Sequence, residues 1–256
     1  MSKKSGSNHQ KEIRTLSLFT GAGGLDIGFH QAGFTITQCI EIDNRFCETL
    51  TANPKYFSSS EVINKDIALV NENEIKQPVD FIIGGPPCQS FSASGNRLGL
   101  TDNRGVLFEH YVRLLRVLSP KGFLFENVRG LLYANRGIAI RTILQEFKDA
   151  GYNVELRLLN AADYGVPQFR ERVFLLGSKG SKLSFAAPTH GPDSINKIPY
   201  ATVWDAIKDV YNEHEVEKPF NGIYGHLLPL VPEGNNYHYF TAKMGYEKPI
   251  FGWRTK

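Results

Sequence analysis

The stretch GGPPCQSFS, residues 84–92, sets a thiol directly behind two glycines and two prolines. A thiolate attacks carbon centres or ligates metals, so those are the two chemistries open to Cys88. Ligation needs partners at short spacing. The three cysteines, Cys39, Cys47 and Cys88, form no CxxC or Cys/His pattern, so no metal is expected. Attack needs a thiol held firmly beside a ligand crevice. The preceding run VDFIIGG reads as a short buried strand, Val79 to Ile83, ended by Gly-Gly. The prolines fix φ and remove backbone donors, so the chain leaves that strand in a stiff extended turn. Cys88 then lies beyond the carboxyl end of a strand, where open α/β sheets keep their ligands. The plainer alternative is a small residue filling a turn, because most cysteines are inert.

A second group of residues suits a nucleoside. FTGAGGLDIGF (19–29) is a glycine-rich loop between an apolar run and a helical pattern. Its glycines let the backbone approach a ligand. A dinucleotide fingerprint fails here, because Asp26 stands where the third glycine belongs and would repel a pyrophosphate. An acid about 20 residues on, Glu41 or Asp43, falls where ribose hydroxyls are bound in such folds, and Asp66 follows the next apolar run. Carboxylates around such a pocket suit a ligand with hydroxyls, an amine and a sulfonium cation. A tight turn beside solvated acids is the bland alternative.

These groups need a frame, and the periodicities supply one. TLSLF (15–19), FTITQCIEI (34–42), EVINKDI (61–67), VDFIIGG (79–85), GFLFENV (122–128), NVELRLLN (153–160) and RVFLLGS (172–178) read as strands. Helical spacing covers 24–33, 44–52, 105–120 and 137–150. Strands alternating with helices predict an α/β, mostly parallel sheet with helices on both faces. The expected organisation is a polar tail over 1–13, a catalytic and cofactor-binding domain over 14–180, and a loop-rich remainder over 181–256 with a short helix near 202–210. The tail has no signal-peptide pattern and no run approaches the length of a membrane span. With few cysteines and no disulfide framework, a reducing cytoplasm is expected. A net charge of +3 permits nucleic acid as a partner without requiring it.

In their order and spacing, FTGAGGLDIGFHQAGF, GGPPCQSFS, FENVRG and DYGVPQFRERVFLLG closely resemble the cytosine-C5 DNA methyltransferase family, over roughly residues 15–178. The resemblance implies a Rossmann-like sheet, mixed and mostly parallel with helices on both faces, that binds S-adenosylmethionine. Phe19, Gly21, Gly23 and Gly24 would line the methionine side, with Pro86 close by. Glu41 would take the ribose hydroxyls, and Ile42 would pack on adenine. Asp66 and Ile67 would read the adenine edge, and Leu107 would complete that pocket.

It also implies roles for the acid and the arginines. Attack of the Cys88 thiolate on carbon 6 of cytosine would raise electron density at carbon 5. Glu126 would hydrogen-bond or protonate ring nitrogen 3, Arg172 would contact the carbonyl oxygen, and Arg170 would support the site. Arg170 and Arg172 are alternate residues of an extended segment and so share a face, although a surface ion pair with Glu171 is an ordinary alternative. The base must leave the duplex to be reached. The Gly-, Ser- and Asn-rich stretch 90–105 would close over it, with Ser92, Arg97 and Arg104 as DNA contacts.

Complete members of the family carry a target-recognition region and closing motifs that are not found after residue 180. HLLPLVPEGNNYHYFTAKMGYEKPIFGWRTK reads as the entry to such a region, with Tyr237, His238, Tyr239, Trp253 and Arg254 as DNA contacts or exposed core. A truncated chain, a decayed gene and one subunit of a split enzyme are all open. In the last case a second polypeptide would carry the missing parts. The competing expectations are a partner-dependent or inactive module, an RNA cytosine methyltransferase, and a nicotinamide dehydrogenase. The last gives no role to PPC or ENV.

Overall fold

The computed structural model describes residues 12–87, 106–211, 222–232, 234, 235, 238–247 and 250. Cys88, Ser92, Arg97, Arg104, Tyr237, Trp253 and Arg254 lie outside the described residues.

Seven strands form one sheet: β1 (Ile13–Leu18), β2 (Phe34–Glu41), β3 (Glu61–Asn64), β4 (Phe81–Gly84), β5 (Gly122–Val128), β6 (Asn153–Asn160) and β7 (Glu171–Ser178), in the order β3-β2-β1-β4-β5-β7-β6. The first five pair in parallel. β7 runs antiparallel to both β5 and β6. The helices are α1 (Gly24–Gln31), α2 (Asn44–Thr51), α3 (Pro54–Phe57), α4 (Val106–Leu118), α5 (Ile138–Asp149), α6 (Val203–Ile207) and α7 (His238–Lys243).

Central strands buried on both faces explain the near-continuous apolar runs, and their period of two sorts the core into two layers. Ile82, Phe123 and Phe125 point to the side covered by α4 and α5, where they meet Tyr111, Leu114 and Phe147. Phe81, Ile83 and Leu124 point to the other side, against Leu50 of α2 and Phe57 of α3. The first layer is aromatic. Phe123 and Phe147 have ring centroids 4.4 Å apart, and the buried Tyr111 hydroxyl donates to the Leu124 carbonyl at 3.0 Å. Its polar tip is thereby satisfied, as a buried hydroxyl requires.

Two expected strands are shorter than their apolar runs. β3 stops at Asn64, whose Nδ2 donates to the carbonyls of Glu41 and Ile42, and Asp66 then caps a 3-10 turn over Ile67–Leu69. β4 begins at Phe81 because Asp80 turns its carboxylate to Arg14 and Lys121. Contacts divide the chain into one unit ending at Ala206 and another beginning at Ile207. In the second, a 3-10 turn spans Gly225–Leu230, and Thr241 of α7 accepts a hydrogen bond from the Ile250 backbone at 3.2 Å. No helix among the described residues is long and apolar enough to cross a membrane.

Candidate active site

Within the unit that ends at Ala206, the candidate groups sit where β1 to β5 end and β7 begins, with Leu107 added from the start of α4. Two cavities open there and share Phe19 in their linings.

The first, about 330 Å³, is lined by Phe19, Glu41, Ile42, Asp66, Ile67 and Leu107, among others. Its anchor is Glu41, only 8% exposed. One carboxylate oxygen accepts from Gly21 N at 2.7 Å, and the other accepts from Ile42 N at 2.8 Å and Asp43 N at 2.9 Å. The side chain thus ties the glycine loop after β1 to the turn after β2. A carboxylate has about four acceptor positions, so one remains for a ligand hydroxyl. Asp43 has a different job. It caps α2 by accepting from Arg45 N, and the same arginine holds its carboxyl down to about 2. Ile42 is 65% exposed, a flat apolar surface beside polar neighbours. Pro87 of the Pro-Pro turn also lines this cavity, as does Lys65, which did not stand out in the sequence.

The loop itself is bent by left-handed residues: Phe19 (φ 55°), Gly21 (φ 56°) and Gly23 (φ 85°). A side chain on Gly23 would drive its Cβ to 2.5 Å from Phe57, so only glycine fits there. Gly21 and Gly23 therefore shape the loop without lining either cavity, whereas Gly24 lines the second.

The second cavity, about 530 Å³, brings together Glu126, Arg170, Arg172, Gly85 and Asp26. Arg172 Nε lies 3.0 Å from Glu126 Oε1, and its Nη1 donates to the Glu171 carbonyl at 2.8 Å. Burial raises the Glu126 carboxyl above its ordinary value, with Arg172 and Arg170 pulling against it. Arg170 stands one residue before β7, and its backbone N donates to Asn160 Oδ1 at 2.9 Å. Glu171 turns away to Arg129, 2.7 Å off, so it does not pair with Arg170 or Arg172 through its carboxylate. A Cβ on Gly85 would lie 2.7 Å from Glu126 Oε2, and one on Gly84 2.5 Å from the Leu18 carbonyl. The Gly-Gly pair is what lets the backbone pass this close to the acid. Pro86 lines neither cavity. Its carbonyl accepts from Asn127 Nδ2 at 3.0 Å, which fastens the start of the Pro-Pro turn to the end of β5. The sequence-read residues Glu126, Arg170 and Arg172 are thus brought together, beside the Gly84-Gly85 backbone that continues through Pro86 and Pro87 toward Cys88.

A comparison with known families decides which lineage this arrangement represents. Residues 13–231 match the C-5 cytosine-specific DNA methylase family. The chain belongs to that family. It is 43% identical over 221 residues to the Type II methyltransferase M.AquIA of Picosynechococcus, a match covering 77% of this chain and 88% of that one. It is 45% identical over 199 residues to the Type II methyltransferase M.FnuDI of Fusobacterium nucleatum, covering 77% of this chain and 56% of the relative. Among solved structures, a prophage-encoded E. coli protein described as a DNA modification methyltransferase superposes with a TM-score of 0.62 at 28% identity, over 91% of this chain and 69% of that one. The fold is the Rossmann-like methyltransferase sheet, mixed and mostly parallel, as the resemblance implied.

Asp26 was legible only as the residue that breaks a dinucleotide fingerprint. In the fold it is 1% exposed, lines the second cavity, and accepts from Cys39 Sγ at 3.9 Å and from Ser17. Thr20 Oγ1 in turn donates to Ser17 Oγ at 3.0 Å. Burial pushes the Asp26 carboxyl up to about 6.

Proposed function

We propose that this chain transfers a methyl group from S-adenosylmethionine to carbon 5 of a cytosine flipped out of duplex DNA, as the modification partner in a restriction-modification pair. One observation carries the reading: a half-buried Glu126 with a raised pKa, paired to Arg172 and packed on the Gly-Gly segment that leads to Cys88. The names of M.AquIA and M.FnuDI support the restriction-modification setting.

The donor set of the first cavity fits S-adenosylmethionine. Glu41 has acceptor capacity for ribose hydroxyls, Ile42 and Ile67 offer apolar faces to a purine, and Asp66 stands at the rim. Gly24, with no heavy atom within 4 Å of a Cβ built on it, leaves space on the methionine side. When bound, that cofactor supplies an electrophilic methyl on a sulfonium.

The chain's own residues do the rest. The Cys88 thiolate adds to carbon 6 of the base and breaks its aromaticity. The Glu126 carboxyl donates toward ring nitrogen 3, and burial, which raises its pKa above the ordinary value, favours the protonated form that this role needs. Arg172, fixed by Glu126 and the Glu171 carbonyl, points its guanidinium at the base carbonyl, while Arg170 adds positive charge beside it. Once carbon 5 has taken the methyl group, loss of its proton to water or another base expels the Cys88 thiolate, and nitrogen 3 returns its proton to Glu126, which restores the ring. Ser92, Arg97 and Arg104 are the proposed contacts of the following loop with DNA phosphates. Choice of DNA sequence falls to residues outside the catalytic sheet, on this chain or on a second polypeptide. The working compartment is the bacterial cytoplasm or nucleoid.

The test is transfer of label from radiolabelled S-adenosylmethionine to unmethylated genomic DNA. Label recovered as 5-methylcytosine and lost in Cys88→Ser supports the reading. Label appearing in RNA and not in DNA redirects it to an RNA substrate. No transfer by the wild-type chain rules out stand-alone activity.

A further inference from the structure

Beside the crevice lies a basic ridge that the reaction itself does not use. It begins where β5 ends. A 3-10 turn, Arg129–Leu132, and then a kinked, non-helical turn over Ala134–Gly137 carry the chain from β5 into α5. Arg129 reaches Glu171 at 2.7 Å, and its guanidinium lies 6.0 Å from the Tyr133 ring centroid. Asn135 (φ 49°), Arg136 (φ 54°) and Gly137 (φ 76°) are three left-handed residues in a row. A Cβ on Gly137 would sit 3.1 Å from Arg141 Nη1, so the Arg141 guanidinium folds back over the turn that also carries Arg136 in its sequence. Arg129, Tyr133, Arg136 and Arg141 are all exposed, Tyr133 to 64%.

The charge on this ridge is unbalanced. Glu171 offsets Arg129, but neither Arg136 nor Arg141 has an ion-pair partner among the described residues. Most exposed arginines are solvated surface groups. This set differs in place and composition, because it runs from the mouth of the catalytic crevice, through Glu171 between Arg170 and Arg172, and it interleaves cations with an exposed aromatic ring. Such a surface fits a polyanion whose charges recur along its length.

We propose that Arg136 and Arg141, with Tyr133 and Arg129 beside them, hold the phosphodiester backbone of duplex DNA alongside the crevice, independently of its sequence. The inference rests on DNA being the substrate. Phosphate contacts of this kind position a duplex without reading bases, and they leave a salt signature. Each lost contact lowers the slope of log K against log salt concentration by about 0.9.

The experiment measures anisotropy of a labelled duplex of arbitrary sequence from low to physiological salt. It compares the wild-type chain with Arg136→Ala/Arg141→Ala, with the charge-retaining Arg136→Lys/Arg141→Lys, and with Lys148→Ala/Lys182→Ala. The last pair lies at the opposite end of α5, by the start of β6. The ridge variant is expected to bind at least about ten-fold more weakly at low salt, with a slope shallower by about two. The lysine-substituted ridge and the distal control should keep the wild-type slope. Equal slopes in wild type and the alanine ridge variant overturn the proposal and leave the ridge as a surface for a protein partner or for solvent. Absence of duplex binding by the wild-type chain overturns it as well. Calorimetric binding of S-adenosylmethionine to each variant separates lost fold from lost contact. Methyl transfer is read separately: a wild type that binds duplex through the ridge but transfers nothing sinks the proposed activity and leaves the ridge standing.

Discussion

The two cavities that share Phe19 are built by different means. The Glu41 side is organised by backbone. One carboxylate collects three N–H groups from two loops, and every one of those bonds is present within the described chain. The Glu126 side is organised by side-chain charge. An acid and two arginines converge from β5 and the start of β7, and burial works against the charge that the arginines favour. The first arrangement is a satisfied scaffold that holds a shape. The second sets burial against ion pairing at a proton-transfer group, which suits a step in which charge develops. Substitutions on the two sides should therefore fail in different ways.

The largest separation is expected for Glu126→Gln. It keeps the shape and loses the acid, so methyl transfer should fall by about 10²–10⁴-fold, while calorimetric affinity for S-adenosylmethionine is unchanged. A matching loss of cofactor affinity would show that the two cavities are not functionally distinct. Raising the pH should slow the wild-type reaction as the raised Glu126 carboxyl loses its proton, and the Gln variant should lack that limb.

Next comes Glu41→Ala, which strips an acceptor from Gly21, Ile42 and Asp43 at once. Leaving such donors without a partner costs about 1–3 kcal/mol of stability, and the glycine loop loses its tether. Thermal unfolding should shift down and cofactor affinity should fall together. A variant with wild-type melting and weakened affinity would confine Glu41 to ligand contact and remove the scaffold role.

The same contrast explains what the sequence disclosed. β5 (Gly122–Val128) and β6 (Asn153–Asn160) have the bounds that their apolar patterns predict, because each is a regular extended run. The resemblance implied a mixed sheet, but periodicity did not show that β7 is the strand that reverses. Periodicity reports that a segment is extended, not which neighbour it pairs with or in which direction. Glu126 and the two arginines were legible because their motifs are local. The ties that hold the site together were not: Glu41 to Gly21 spans 20 residues and Asn127 to Pro86 spans 41. Glu41 and Asp43 are likewise indistinguishable in the sequence, since both are acids at the end of β2 and only their partners in the fold differ. Ion pairing of Glu171 with Arg129 in place of its neighbouring arginines also depends on a fold-level approach of β7 to the turn after β5.

Asp26 sits at the seam between the two constructions and gives the subtlest test. It lines the Glu126 cavity, yet it is held by Ser17 of β1 and Cys39 of β2, two residues before Glu41. Its carboxyl titrates near 6 in the fold, against 3.8 as an ordinary aspartate. A raised folded pKa means that the folded state holds the proton more tightly than the unfolded chain. The stabilisation is then complete below the unfolded value and is lost as pH rises through about 6. Between pH 5 and pH 7.5 the loss is on the order of 1 kcal/mol. Asp26→Asn, neutral throughout, should flatten that part of the stability profile, as read by denaturant unfolding at a series of pH values. If the variant keeps the wild-type slope, the carboxyl is ionised in the fold, and the polar cluster of Ser17, Thr20 and Cys39 solvates a charge at the seam. If the slope disappears and transfer at pH 7.5 is retained, Asp26 belongs to the scaffold. If transfer falls with the slope, the seam couples the backbone-built cavity to the charged one.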